Sequence, residues 1–355
     1  MAENNVEKLV HDIDREIIKR LSQRKHKDFR AELKDVFALY LKLLKTHQIQ
    51  NALGEEYPLS EIPSYIRRVK QWCKDLGMMI DGHYEGDLLK TIKVYNKLFR
   101  KTSKGFMLWF TFPMVNIDTG SVWYRGRRNE NKERWDKKQL FHVPFGQRGK
   151  IGSQRFSILG FPCLYLASSL NCCLGELRDK TPITISAFKL FSKIKVYDLS
   201  FFPSILSVKD LWSYLFLYPI KIACSIPSPK APKDCREHHF IPEYIVPEYV
   251  LHGTIKQARN TSESLGFVYT STSVFSEDVT KEEVRKSTNL VIPVVNIKDK
   301  GYCDKLCKML SMTAPRTLDI SDNIDDKDFE NQEEIFKEMA FDSLPDTEES
   351  KDESC

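Results

Sequence analysis

The chain has 355 residues, 41% hydrophobic and 29% charged, and this length predicts two folding units with a sizeable buried core. The longest apolar runs, 106–115 and 211–220, are shorter than the about 20 residues a membrane helix needs, and no signal-peptide pattern opens the chain. A soluble, cytoplasmic protein that does not enter a membrane is therefore expected.

Nine cysteines form no framework spacing and read as free thiols. Cys235, His238 and His239 match no zinc pattern, and Cys303 and Cys307 are simply at helical spacing, so no metal is expected. The net charge of +5 is uneven. Residues 321–355 hold fourteen Asp and Glu against three Lys, a balance of −11 that leaves +16 on the rest. A basic body suits an anionic cofactor or an acidic protein surface; it leaves nucleic acid open, although no recognition-helix pattern is present.

Residues 1–47 predict two amphipathic helices, with Val6, Leu9, Ile13, Ile17 and Leu21 on one stripe and Leu33, Val36, Phe37, Tyr40, Leu41 and Leu44 on the other. A linker is expected over 51–58. A third helix from Ser60 is expected to stop near Leu76, broken at Gly77 and at Asp81–Gly82, and a fourth covers about 87–100. Residues 1–104 thus read as an all-helical regulatory or assembly domain.

The texture changes at Gly105. Strands are expected at 107–115, 121–127, 161–167, 183–190, 194–199, 267–272 and 290–295. Residues 211–222 fit a buried helix or a strand pair. Helices are expected around Pro247 and over 301–310. From Asp319 the acidic, aromatic-poor sequence reads as a disordered tail.

The stretch Arg155–Glu176 is the densest in chemistry: an Arg in a loop, Tyr165 in an apolar strand, and Glu176 on the helix after a Ser168–Ser169 turn. Arg125, Arg127 and Arg155 sit at strand or loop ends, and guanidinium groups bind phosphates in bidentate fashion. Surface ion pairing is the plainer fate of each. The Tyr165 ring can stack on a flat heterocycle or fill the core. Glu176, next to an apolar helix face, either pairs with a cation or stabilises a cationic sugar transition state. His142 reads equally as a general base or a half-buried loop residue. No glycine-rich phosphate loop is present.

The pieces YRGR (Tyr124–Arg127), FHVPF (Phe141–Phe145), RFS…GFPCLYLASS…GE (Arg155–Glu176), EYIVPE (Glu243–Glu248), GFVYTSTS (Gly266–Ser273) and NLVIP (Asn289–Pro293) resemble, in order, the RES domain family. The resemblance spans about residues 105–300. It implies an α+β fold similar to ADP-ribosyltransferases, with a split mixed β core, over residues 105–318. It also implies consumption of NAD+. By position, Arg125 and Arg155 would hold phosphates, Tyr165 would stack on the nicotinamide side, Glu176 would be the catalytic carboxylate, and Ser271 the family serine. Arg127 competes with Arg125, and Ser273 with Ser271.

These readings predict a toxin or defence enzyme that cleaves the nicotinamide–ribose bond of NAD+ with water or phosphate as acceptor. Mono-ADP-ribosyl transfer to a protein and a non-catalytic binding module are the alternatives. Restraint is expected from a protein partner bound through residues 1–104, from homo-oligomer formation, or from the acidic tail covering the basic body.

Overall fold

The computed structural model describes residues 2–53, 60–99, 113–177, 181–203, 208–229, 240–261, 266–318 and 326–344. The metal candidates Cys235, His238 and His239, and most of the strand expected at 107–115, lie outside the described residues.

The helical stripes form as their periodicity requires: α1 (Ala2–Ser22), α2 (Phe29–Leu43), α3 (Thr46–Leu53), α4 (Glu61–Tyr84) and α5 (Leu88–Phe99). Asp28 caps α2 by accepting from the Ala31 amide at 2.9 Å. Arg20 on α1 ties the hairpin by gripping Glu32 (2.7 and 3.1 Å) and Asp35 (2.6 Å) on α2. Two expectations fail here. Part of the expected linker is helix α3, whose Ile49 and Ala52 are buried. Helix α4 also runs through Gly77 and Gly82, because Met79 and Ile80 continue the buried stripe of Val69 and Leu76. Burying each such side chain is worth about 2 kcal/mol, against about 1 kcal/mol lost at a helical glycine.

The remainder is α+β, as expected. The strands are β1 (Met114–Ile117), β2 (Val122–Arg128), β3 (Cys163–Ala167), β4 (Ile183–Leu190), β5 (Ile194–Leu199), β6 (Phe267–Thr270), β7 (Thr288–Pro293), β8 (Leu310–Met312), β9 (Arg316–Leu318) and β10 (Asp342–Ser343). They form one mixed sheet in the order β1-β5-β6-β7-β3-β2-β4-β8-β10, with β9 also on β4. Only β5 and β6 run parallel among the described pairs. The two halves of this sheet meet at a single pair, Tyr124 opposite Ala167.

The helices of this part are α6 (Lys137–Leu140), α7 (Leu170–Leu177), α8 (Val208–Ser225), α9 (Ile245–Thr261), α10 (Lys281–Lys286), α11 (Asp304–Met309) and α12 (Asp326–Glu338). The ambiguous apolar run 211–222 is therefore helix, with Pro219 inside it. No helix among the described residues is long and apolar enough to cross a membrane.

The helical region and the sheet do not form separate cores. One buried cluster runs from Val6, Ile17 and Tyr40 through Leu215 and Tyr218 of α8 to Phe267 and Val291 of the sheet. At its centre, buried Asp14 of α1 accepts from Tyr214 (2.8 and 2.9 Å), Tyr218 (2.6 Å) and the Phe202 amide (2.7 Å). The Lys221 ammonium stands 3.8 Å away and donates to Tyr214. A carboxylate this deep is tolerated because four donor contacts and a cation replace its water. Helices α1, α2 and α4 are thus packed onto the sheet domain through α8.

The acidic end corrects the expectation of disorder over 326–344. Phe336 of α12 is fully buried, with Phe329, Met339 and Phe341 around it, against Tyr124, Leu170 and Ile185. Glu333 accepts from the Leu170 amide at 2.6 Å, capping α7 from outside the helix. Composition is a poor guide here because Phe329 and Phe336, two turns apart on α12, pack together with Met339 and Phe341 just after it. Phe336→Ala is expected to lower stability by about 3 kcal/mol in urea titrations; an unchanged midpoint would mean that α12 is not docked.

Candidate functional site

The site is built where the sheet opens. Strand β2 pairs with β4 along its whole length but with β3 only at Tyr124. Register with β4 sets Tyr124 and Gly126 on the face under α7, while Trp123 packs on the opposite face with Phe141 and Phe188. Gly126 allows α7 to lie directly on β2: a Cβ there would meet Ile183 Cγ2 at 2.9 Å and Cys173 Sγ at 3.2 Å. Arg125 reaches across the opening, its Nη1 donating to the Tyr165 carbonyl at 2.9 Å. Its Nε is buried with no hydrogen-bond partner among the described residues. Burial first, and then the charge of Arg127, pull its pKa down to about 9, so it still carries its charge at neutral pH.

Glu176 closes the other side. It sits near the end of α7, and its Oε1 accepts from Ser271 Oγ at 2.5 Å and Asn289 Nδ2 at 2.8 Å. The Ser273 hydroxyl lies 2.6 Å from that of Ser271. Gly175 permits this approach, since a Cβ would come within 2.9 Å of Ser273 Oγ. Ser271 is fully buried and holds the carboxylate; Ser273 is only partly buried. Asn289 is fixed in turn by accepting from Cys172 Sγ at 3.7 Å.

Arg155 is buried. Its Nη1 donates to the carbonyls of Cys224 (3.0 Å) and Ile226 (2.9 Å) where α8 ends, and its Nη2 to Thr272 Oγ1 at 3.4 Å. One short turn thus carries Ser271 on the carboxylate and Thr272 on the guanidinium. Both charges reach Tyr269, whose pKa burial raises, with Glu176 raising it further and Arg155 lowering it. Tyr165 donates its hydroxyl to the Phe156 carbonyl, and burial keeps that hydroxyl protonated. None of Arg125, Arg127 and Arg155 forms an ion pair with a carboxylate among the described residues.

The structure therefore joins Glu176, Ser271 and Ser273 in one hydrogen-bonded group, links Arg155 to the same turn through Thr272, and sets Arg125 on the Tyr165 backbone. Arg127 differs: its Nη2 contacts the Phe141 carbonyl at 3.4 Å, and the Tyr302 hydroxyl raises its pKa while burial lowers it. His142 is no general base here. It is fully buried, its Nδ1 hydrogen-bonds the Val143 carbonyl at 2.8 Å, and its Nε2 accepts from the Cys303 amide at 3.0 Å. The sequence analysis did not assign roles to Asn289 and Thr272. Their only sequence signal is a polar residue beside an apolar strand, which many surface positions share.

No protein-family model matches the chain, and no solved structure gives a significant match. A Bacillus subtilis (strain 168) protein named "Putative toxin YopC" is 29% identical over 305 residues, covering 81% of this chain. The chain spans 65% of that protein's length.

Burial of His142 sets a pH dependence. Its pKa is pushed down to about 4 from an ordinary 6.5, chiefly by desolvation. The native state then binds fewer protons than the unfolded state between those values, so stability falls as pH drops from about 6.5 toward 4. The loss is expected to approach about 3 kcal/mol at the lower end. Urea midpoints followed across that range should fall less steeply for His142→Gln; equal slopes would remove His142 as the cause.

Proposed function

We propose that this chain is an NAD+-cleaving enzyme of the toxin type, related to the RES domain family and to the ADP-ribosyltransferase-like folds. The observation that carries the reading is a carboxylate fixed by two donors, with buried Arg155 on the adjoining turn and partly buried Arg125 on β2, neither arginine having a carboxylate partner among the described residues. Buried cations without counter-ions favour an anionic ligand, and a dinucleotide diphosphate supplies one. The unpartnered Nε of Arg125 leaves one donor free for it. The toxin name of the Bacillus subtilis relative supports the biological side of this reading.

In this account Arg125 and Arg155 hold the diphosphate, and the Tyr165 ring borders the nicotinamide. Nicotinamide leaves a cationic pyridinium as a neutral molecule, so the bond between ribose C1′ and the ring nitrogen breaks without an acid. Positive charge then grows on the ribose. Glu176, already held by Ser271 and Asn289, faces that charge with little reorganisation. Water or phosphate then forms the new C1′–O bond and gives its proton to solvent. Few catalytic groups are needed, which suits the small set assembled here.

The test is purified protein with NAD+, with and without phosphate, followed by chromatography of nicotinamide and the ADP-ribose product. Glu176→Gln is expected to lower turnover at least about 100-fold with an unchanged fold. Nicotinamide release that does not require Glu176, or none from the folded wild-type protein, would overturn the reading. Asn289→Ala removes one of the two donors on Oε1 and is expected to lower kcat about tenfold with KM nearly constant. A change confined to KM would mean that Asn289 acts on ligand binding instead.

A further inference from the structure

Arg24 ties the N-terminal helices to the two segments that surround Arg155. Arg24, in the connection between α1 and α2, donates from Nη1 to the Pro227 carbonyl (2.8 Å) and to Glu243 Oε1 (2.6 Å). Its Nε and Nη2 hold the carbonyls of His26 (2.9 Å) and Lys27 (2.9 Å), which fix the guanidinium in its own loop. Glu243 is 1% exposed, and its other oxygen has no partner among the described residues. Arg24 is therefore the cation that allows this carboxylate to stay buried.

The same two segments form the surroundings of Arg155. Its Nη1 takes the Cys224 and Ile226 carbonyls, directly before Pro227. Its guanidinium carbon lies 5.4 Å from the centre of the Tyr244 ring, directly after Glu243. Arg24 and Arg155 thus both hold the end of α8 with the residues just after it, and the turn before α9.

We infer that Arg24 is a positioning residue: it holds the end of α8 and the Glu243–Tyr244 turn where Arg155 must be to receive an anionic ligand. The inference rests on the proposed role of Arg155. It makes the helical region part of the ligand site's support, in addition to any partner it binds. Arg24→Gln leaves Glu243 unpaired and loosens both segments. Lys97→Gln is the matched control, because Lys97 of α5 pairs with the buried Asp75 of α4 at 2.7 Å and bonds neither the Arg24 loop nor either segment.

The full-length wild-type, Arg24→Gln and Lys97→Gln proteins are titrated calorimetrically with ADP-ribose, and amide exchange is followed by mass spectrometry. Arg24→Gln is expected to weaken ADP-ribose about tenfold and to speed exchange at 222–228 and 155–158, while Lys97→Gln leaves both at wild-type values. Equal affinity for Arg24→Gln and wild type, or an equal loss in both variants, would overturn the inference. Should the wild type bind no ADP-ribose, the proposed function falls, and exchange alone decides on Arg24. Faster exchange at those segments in Arg24→Gln only would then uphold the strut, and wild-type exchange would end it.

Discussion

A buried guanidinium nitrogen without a partner is costly, and Arg125 holds its Nε in that way beside the single pair that joins β2 to β3. The single pair Tyr124–Ala167 joins two halves, and beyond it the strands are linked through this side chain rather than through a ladder. Everything around the opening is arranged relative to that bridge. Helix α7 lies on Gly126 beside it, bringing Glu176 to the rim, and the turn Ser271–Ser273 fixes the carboxylate from the far side.

The support for this arrangement comes from both ends of the chain. Helix α1 anchors α8 through Asp14, and α8 ends on the carbonyls that Arg155 takes. Helix α12 buries Phe336 beneath Tyr124 and caps α7 with Glu333. The acidic C-terminal region therefore includes a brace for the Glu176 helix. Truncation there removes the brace and the buried phenylalanine together, so it is expected to destabilise the site rather than to release it.

Local structure was largely legible in the sequence. Strands 183–190 and 194–199 fall where alternation and β-branched content put them, and the α1 and α2 stripes are buried as their spacing implies. The run 211–222 was ambiguous because α8 is buried on nearly every side, so it shows no polar face from which to read a period. The shared core of helices and sheet was not legible, since a stripe says that it is covered but not by what. Among the site residues, Glu176, Arg155 and Tyr165 stood out in one motif. Asn289 and Arg24 did not, because their partners are 113 and 219 residues away.

The central claim is that Arg125 and Glu176 serve one ligand. The most direct measurement is a calorimetric titration of NAD+ into the Glu176→Gln protein, which should bind without turnover, beside the same protein carrying Arg125→Met. The account predicts saturable binding that weakens at least about tenfold when Arg125 is lost, as expected for a charge-assisted contact to phosphate. Binding that is indifferent to Arg125, or no binding by a folded Glu176→Gln protein, would contradict it.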